Sequence, residues 1–123
     1  MKGKRLLILE DDWFIRTSME QFLEFEGFTT HSVSNGQEGL RLLDSIPLPD
    51  LILTDLNMPI VDGLEFIRRK NSNPLLKKIP LIVISAARDQ HELPEKVTAV
   101  ISKPFDIKKL LDAITAILNQ IAL

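Results

Sequence analysis

The run Asp55-Leu56-Asn57-Met58-Pro59-Ile60-Val61-Asp62-Gly63 delivers a carboxylate from the end of an apolar segment into a sharply turning loop. Upstream, Asp50-Leu51-Ile52-Leu53-Thr54 reads as a short buried strand, so Asp55 stands where the strand runs out. A carboxylate there is poised to bind metal or to act as a nucleophile. An ordinary strand-end turn competes with that reading, since Asp, Asn, Pro and Gly are all turn residues. A second acidic cluster shifts the balance. Leu6-Leu7-Ile8-Leu9 is another apolar run, and it ends in Glu10-Asp11-Asp12 before a helical pattern begins. One of Asp11 and Asp12 is placed to cap that helix, but capping does not account for three consecutive acids. In an open parallel α/β sheet, the crevice beyond the carboxyl ends of adjacent strands is the usual ligand site.

Two further strand ends complete the constellation. Leu81-Ile82-Val83-Ile84 runs into Ser85-Ala86, a small hydroxyl followed by a small residue that leaves room for a ligand. Ala99-Val100-Ile101 runs into Ser102-Lys103-Pro104-Phe105 and sets an ammonium beside the acids. Proline biases Lys103 toward an extended backbone, so the lysine is aimed. Taken singly, Lys103 would read as a solvated surface lysine.

Positioning these groups requires alternating elements, and the chain supplies them. A strand over about residues 5 to 10 precedes a helix with Ile15, Met19, Phe22 and Leu23 on one face, which Gly27 is placed to end. Phe28 to Val33 alternates as a second strand. Ser34-Asn35-Gly36-Gln37 has capping-box spacing for a second helix carrying Leu40, Leu43 and Ile46, terminated by Pro47 and Pro49. Asp62-Gly63-Leu64-Glu65 is another capping box, opening a third helix through about Lys70. Ile107, Leu110, Leu111, Ile114, Ile117, Leu118 and Ile121 mark a long amphipathic last helix. Strands joined by helical crossovers predict an α/β fold with a parallel sheet and helices on both faces.

Composition bounds the function. The 123 residues fit one domain, and no linker or repeat divides them, so residues 1–123 are expected to form a single unit. With 15 Lys+Arg against 17 Asp+Glu, the net charge of -2 disfavours direct nucleic-acid or acidic-membrane binding. No cysteine is present, which excludes a thiolate metal site and suits a reducing cytoplasm. The apolar run after the basic amino terminus stops at Glu10, too short for a signal peptide or a membrane span.

With Glu10-Asp11, Asp55 with Met58-Pro59 and Asp62-Gly63, Ser85-Ala86 and Lys103-Pro104-Phe105 all in order, the chain resembles the receiver domain of bacterial response regulators. The resemblance covers essentially the whole sequence. It implies a flavodoxin-like, doubly wound five-stranded sheet in order 2-1-3-4-5. It also implies that Asp55 takes a phosphoryl group from a phosphohistidine on a sensor histidine kinase or phosphotransfer protein, and that the module then regulates a downstream protein. Such a module catalyses only its own phosphorylation and dephosphorylation. Crowded carboxylates either take up protons or bind a cation, and a hard divalent ion, Mg²⁺ or Mn²⁺, suits Glu10, Asp11, Asp55 and the backbone carbonyl of Asn57. Lys103 would neutralise the phosphoryl oxygens, and Ser85 would donate to the new phosphate.

Three departures from the family pattern stand out. Val100 occupies the place of the usual Tyr or Phe, and reads as a buried strand valine. Ser85 to Lys103 is short, and Pro94 within it predicts a short or irregular helix between the fourth and fifth strands. Trp13 follows the acidic cluster directly and reads chiefly as helix packing. His31 and His91 read as ordinary strand and loop residues, and Arg68, Arg69, Lys70, Lys77 and Lys78 as a solvated helix end. Alternatives are a receiver-like adaptor that does not switch, an aspartyl-nucleophile phosphatase, for which Asn57 stands where a second acid is wanted, and a flavin or nucleotide module, for which no Gly-rich phosphate loop is present.

Overall fold

In the computed structural model, residues 3–86, 93 and 97–122 are described. Among the described residues, five strands and four helices follow in the order β1 (Arg5–Leu9), α1 (Trp13–Phe25), β2 (Thr29–Val33), α2 (Gly36–Leu43), β3 (Leu51–Asp55), α3 (Gly63–Asn71), β4 (Leu81–Ala86), β5 (Ala99–Lys103) and α4 (Ile107–Ala122). All strand pairings are parallel, in the order β2-β1-β3-β4-β5. The expected irregular helix between β4 and β5, and His91 with it, lie outside the described residues.

The unbroken apolar runs have a physical reason. Both faces of the sheet are covered, so neither parity of a central strand meets water. Leu7, Leu9, Ile52, Leu81 and Val83 face one layer with Phe66 and Ile67 of α3 and Leu43 of α2. Leu6, Ile8, Leu51, Leu53, Ile82 and Ile84 face the other, against Met19 and Leu23 of α1 and Leu110 and Ile114 of α4. Each fully buried aliphatic side chain contributes roughly 1.5–3 kcal/mol, so the strand ends rest on a rigid base.

Local signals set most helix ends. Asp12 caps α1 by accepting from the Ile15 amide at 3.0 Å, and Asp62 caps α3 by accepting from Glu65 at 2.9 Å. Gly27, at φ 102, takes the left-handed turn that closes α1. The cap of α2 differs from the sequence expectation. Asn35, not Ser34, accepts from the Glu38 amide at 2.9 Å, which shifts the box by one residue. The same helix stops at Leu43, so Ile46 falls beyond it; Ser45 and Ile46 turn back onto the Leu42 carbonyl before the prolines are reached. Phe28 is buried just before β2 rather than within it, and β1 ends at Leu9, one residue earlier than expected.

Three side chains are placed against expectation. Lys70, read as part of a solvated helix end, is fully buried, its Nζ donating to the Lys77 carbonyl at 3.5 Å. Val100 is 39% exposed because β5 is the edge strand of the sheet. Trp13 is 67% exposed at the first position of α1 and does not serve as core packing.

Ile60, in the loop after β3, has φ 67 and is exposed. A β-branched residue in the left-handed region costs about 1–2 kcal/mol. Asparagine tolerates that conformation, so Ile60→Asn should raise stability by about 1 kcal/mol. Urea unfolding checks this; an unchanged or lower midpoint would count against strain at this position.

Candidate functional site

Strand register carries the acids to one level. Leu9 pairs with Thr54, so Glu10 follows beside Asp55 at the adjoining carboxyl ends of β1 and β3. By alternation, Glu10 and Asp55 share the sheet face of Ile8 and Leu53, on the side of α1 and α4. Glu10 is 4% exposed and Asp55 6%. Asp11 is exposed beside them, and one carboxylate oxygen from each of Glu10, Asp11 and Asp55 can be chosen so that all lie within 4.8 Å of one another.

Lys103 starts two strands away from Asp55, roughly 10 Å at the usual strand spacing. Its register partner on the intervening strand is Ala86, whose methyl group leaves the lysine arm a path across β4. The Nζ donates to Asp55 Oδ2 at 2.9 Å and to Glu10 Oε1 at 3.2 Å. The peptide bond that follows, Lys103–Pro104, is cis.

The rest of the Asp55 carboxylate is also held. Its Oδ1 accepts from the Leu56 amide at 2.7 Å and, more weakly, from the Asn57 amide at 3.4 Å. Glu10 Oε2 accepts from the Asp12 amide at 3.1 Å. The loop is shaped to bring these amides in. Gly63 donates to the Leu56 carbonyl at 2.9 Å, and a Cβ there would collide with backbone atoms of Asp55 and Leu56. Only glycine lets α3 start so close to the acceptor strand.

Burial and charge act in opposition here. Burial, reinforced by the neighbouring Asp55 charge, pushes the Glu10 carboxyl above its ordinary value, against the lowering effects of the Asp12 amide and Lys103. Burial pulls Lys103 down, but hydrogen bonding and attraction from Asp55, followed by Glu10, outweigh it, and the ammonium ends above its usual range. The Lys103 ammonium therefore holds two nearly buried carboxylates, and among the described residues Asp11 is left over. That surplus of hard oxygen ligands fits a divalent cation such as Mg²⁺.

A cavity of about 410 Å³ opens over the group, lined by Glu10, Asp11, Asp12, Ile15, Asp55, Asn57, Ala86 and Lys103. Of the residues singled out from the sequence, Glu10, Asp11, Asp55, Asn57 and Lys103 are thus brought together. Ser85 stands apart. It follows Ile84, the register partner of Asp55, and so points to the opposite face, fully buried, with its hydroxyl donating to the Ala86 carbonyl at 3.4 Å. Sequence reasoning missed Arg16, whose Nη1 donates to the Glu10 carbonyl at 2.8 Å. Its position four residues after the Asp12 cap, on the strand-facing end of α1, was the available signal.

The response regulator receiver domain family model matches residues 6–115. The chain belongs to this family. Among curated relatives, the receiver is 32% identical to the response regulator MprA of Mycolicibacterium vanbaalenii, across 94% of this chain and 51% of that protein. It spans about half the length of the first curated relatives it matches. Among solved structures, it is similar to the signal receiver domain of a signal transduction histidine kinase from Syntrophus aciditrophicus, with 30% identity, a TM-score of 0.87, and coverage of 96% and 92% of the two chains. The receiver domain of sensor histidine kinase PA1611 from Pseudomonas aeruginosa, described with a magnesium ion coordinated in its active site cleft, shares the fold at a TM-score of 0.85 and 22% identity, over 95% of this chain and 98% of that one. Receivers are signalling modules of two-component and phosphorelay systems. Among the described residues of this receiver, no helix is long and apolar enough to cross a membrane.

Proposed function

We propose that this receiver accepts a phosphoryl group on Asp55 from a phosphohistidine of a sensor kinase or phosphotransfer protein, in a reaction that requires Mg²⁺ or Mn²⁺. The placement of the nearly buried Asp55 carboxylate, between the Lys103 ammonium and the Glu10 and Asp11 carboxylates, carries the reading. A carboxylate oxygen of Asp55 attacks phosphorus as the phosphorus–nitrogen bond to the donor imidazole breaks, and the imidazole leaves with the bonding pair. Leu56 and Asn57 amides orient the attacking group, and Lys103 stays within reach of the equatorial oxygens of the transferred phosphoryl group. Glu10, Asp11 and Asp55, with the Asn57 carbonyl, would hold the cation. When bound, Mg²⁺ supplies positive charge to the phosphoryl oxygens.

Ser85 has a place in the reading only after a change of conformation, since its hydroxyl lies on the far face of β4. A switch working through Val100 would have no ring to turn, so the signal leaves by an altered surface or another route. The pocket supports phosphoryl acceptance over the adaptor reading, because an adaptor has no use for a buried acid cluster held by one lysine.

Incubation with acetyl phosphate and Mg²⁺ should add the mass of one phosphoryl group, and chelation of the metal should prevent it. Failure to take up phosphate from small donors and from every histidine kinase tried, with Mg²⁺ present, would sink the proposal.

A further inference from the structure

We infer that Arg16 is a positioning residue for the metal-holding loop, acting through the backbone of Glu10; the inference rests on the metal reading above. Hydrogen bonds fix the backbone on both sides of Asp11. The Glu10 amide donates to the Val33 carbonyl at 3.1 Å, the Asp12 amide to Glu10 Oε2 at 3.1 Å, and the Ile15 amide to Asp12 Oδ1 at 3.0 Å. Arg16 completes the set through its bond of 2.8 Å to the Glu10 carbonyl. That carbonyl lies in the same rigid peptide plane as the Asp11 amide. A donor fixed on it therefore fixes the plane from which the exposed Asp11 side chain departs toward the cavity.

The arrangement is unusual in its electrostatics. Three consecutive acids precede Arg16, yet among the described residues its guanidinium forms no ion pair and bonds a neutral carbonyl instead. A guanidinium is a planar, pre-organised donor, well suited to holding a carbonyl in one direction. Held there, it orients the loop and leaves the carboxylates for a cation.

The sign of one substitution separates this role from a simple charge effect. Removing a positive charge beside a cation site should tighten Mg²⁺ binding by Coulomb's law. Removing a positioning group should weaken it, roughly tenfold or more, as loss of a partner behind a metal ligand does. Calorimetric titration of Mg²⁺ into the wild-type chain and Arg16→Met decides, with thermal unfolding measured alongside. Weaker binding by Arg16→Met, partial recovery in Arg16→Lys, and phosphoryl uptake restored by excess Mg²⁺ are the expected results. Equal or tighter binding by a folded Arg16→Met overturns the inference, whatever its unfolding temperature. Absence of Mg²⁺ binding by the wild type would instead overturn the metal reading itself. Should Arg16→Met fail to fold, the same pair of titrations is made in an Ile60→Asn background and judged by the same criterion.

Discussion

Asp55→Asn should abolish phosphoryl uptake altogether. The amide is nearly isosteric, and its oxygen can still accept from the Leu56 amide as Oδ1 does now. What disappears is the nucleophilic carboxylate oxygen, and no other acid takes its place. Glu10 is held by Lys103 and the Asp12 amide, and Asp11 is exposed in the cavity lining, with no amide among the described residues directed at it in the way Leu56 serves Asp55. The variant should remain folded, because it removes one of several crowded charges and leaves Lys103 paired with Glu10. Mg²⁺ affinity should fall as one ligand is lost. Trp13 provides a second readout, since it is exposed directly after the acidic cluster. Beryllofluoride with Mg²⁺ should change the fluorescence of the wild type and leave that of Asp55→Asn unchanged. Mass spectrometry showing equal phosphoryl uptake by the variant would rule out Asp55 as the acceptor.

Lys103→Met should lower both activity and stability, and the stability loss should depend on pH. The lysine side chain is 28% exposed, whereas the side chains of its partners Glu10 and Asp55 are 5% and 7% exposed. Breaking such a pair leaves two buried carboxylates facing each other, a loss of about 3 kcal/mol at neutral pH. Lys103 also lowers the Glu10 pKa, so its removal pushes that carboxyl further up. A carboxyl raised in the folded state binds more protons folded than unfolded. Its favourable contribution is therefore complete below the unfolded value near 4.5 and is lost as pH rises through the folded value. Lys103→Met should accordingly lose more stability than the wild type between pH 4.5 and neutrality, and Mg²⁺ should restore part of it by binding the folded state. In the wild type, the raised pKa of Lys103 keeps its own contribution complete below 10.5, to be lost only as pH climbs through the folded value. Phosphoryl uptake should drop roughly a hundredfold or more, the scale for losing one preorganised group that meets transition-state charge. Urea unfolding across this pH range, with and without Mg²⁺, tests the argument. A variant whose stability parallels the wild type at every pH would show that the ammonium does not hold the acids together.

Short-range chemistry made much of the molecule legible. Unbroken apolar runs at Leu6–Leu9, Leu51–Leu53 and Leu81–Ile84 announced strands buried on both faces, because a strand with one wet face must alternate. Asp12 and Asp62 were readable as caps because the partner amide lies three residues away. The order of acids, hydroxyl and lysine at successive strand ends was visible for the same reason. Asn35 shows the limit of that reading. Ser34 and Asn35 are both competent caps, and the choice falls where Gly36 meets Val61 across the molecule, its amide donating to the Val61 carbonyl at 2.9 Å.

The sequence by itself determined the alternation of strands and helices, the two layers of core and the residues proposed to act on a phosphoryl group. Tertiary structure alone decided which of them meet. Lys103 reaches Glu10 across 93 positions of chain because β1, β3, β4 and β5 lie side by side and Ala86 is small enough to pass over. Lys70 is buried, Val100 is half-bare on an edge and Ser85 faces away from Asp55 because burial depends on what lies across the sheet or helix. Arg16 finds a carbonyl among three acids because its reach is set by the packing of α1 against the end of β1. Local patterns record the preferences of neighbouring residues; contacts between distant residues exist only once the crossovers have fixed the order and register of the strands.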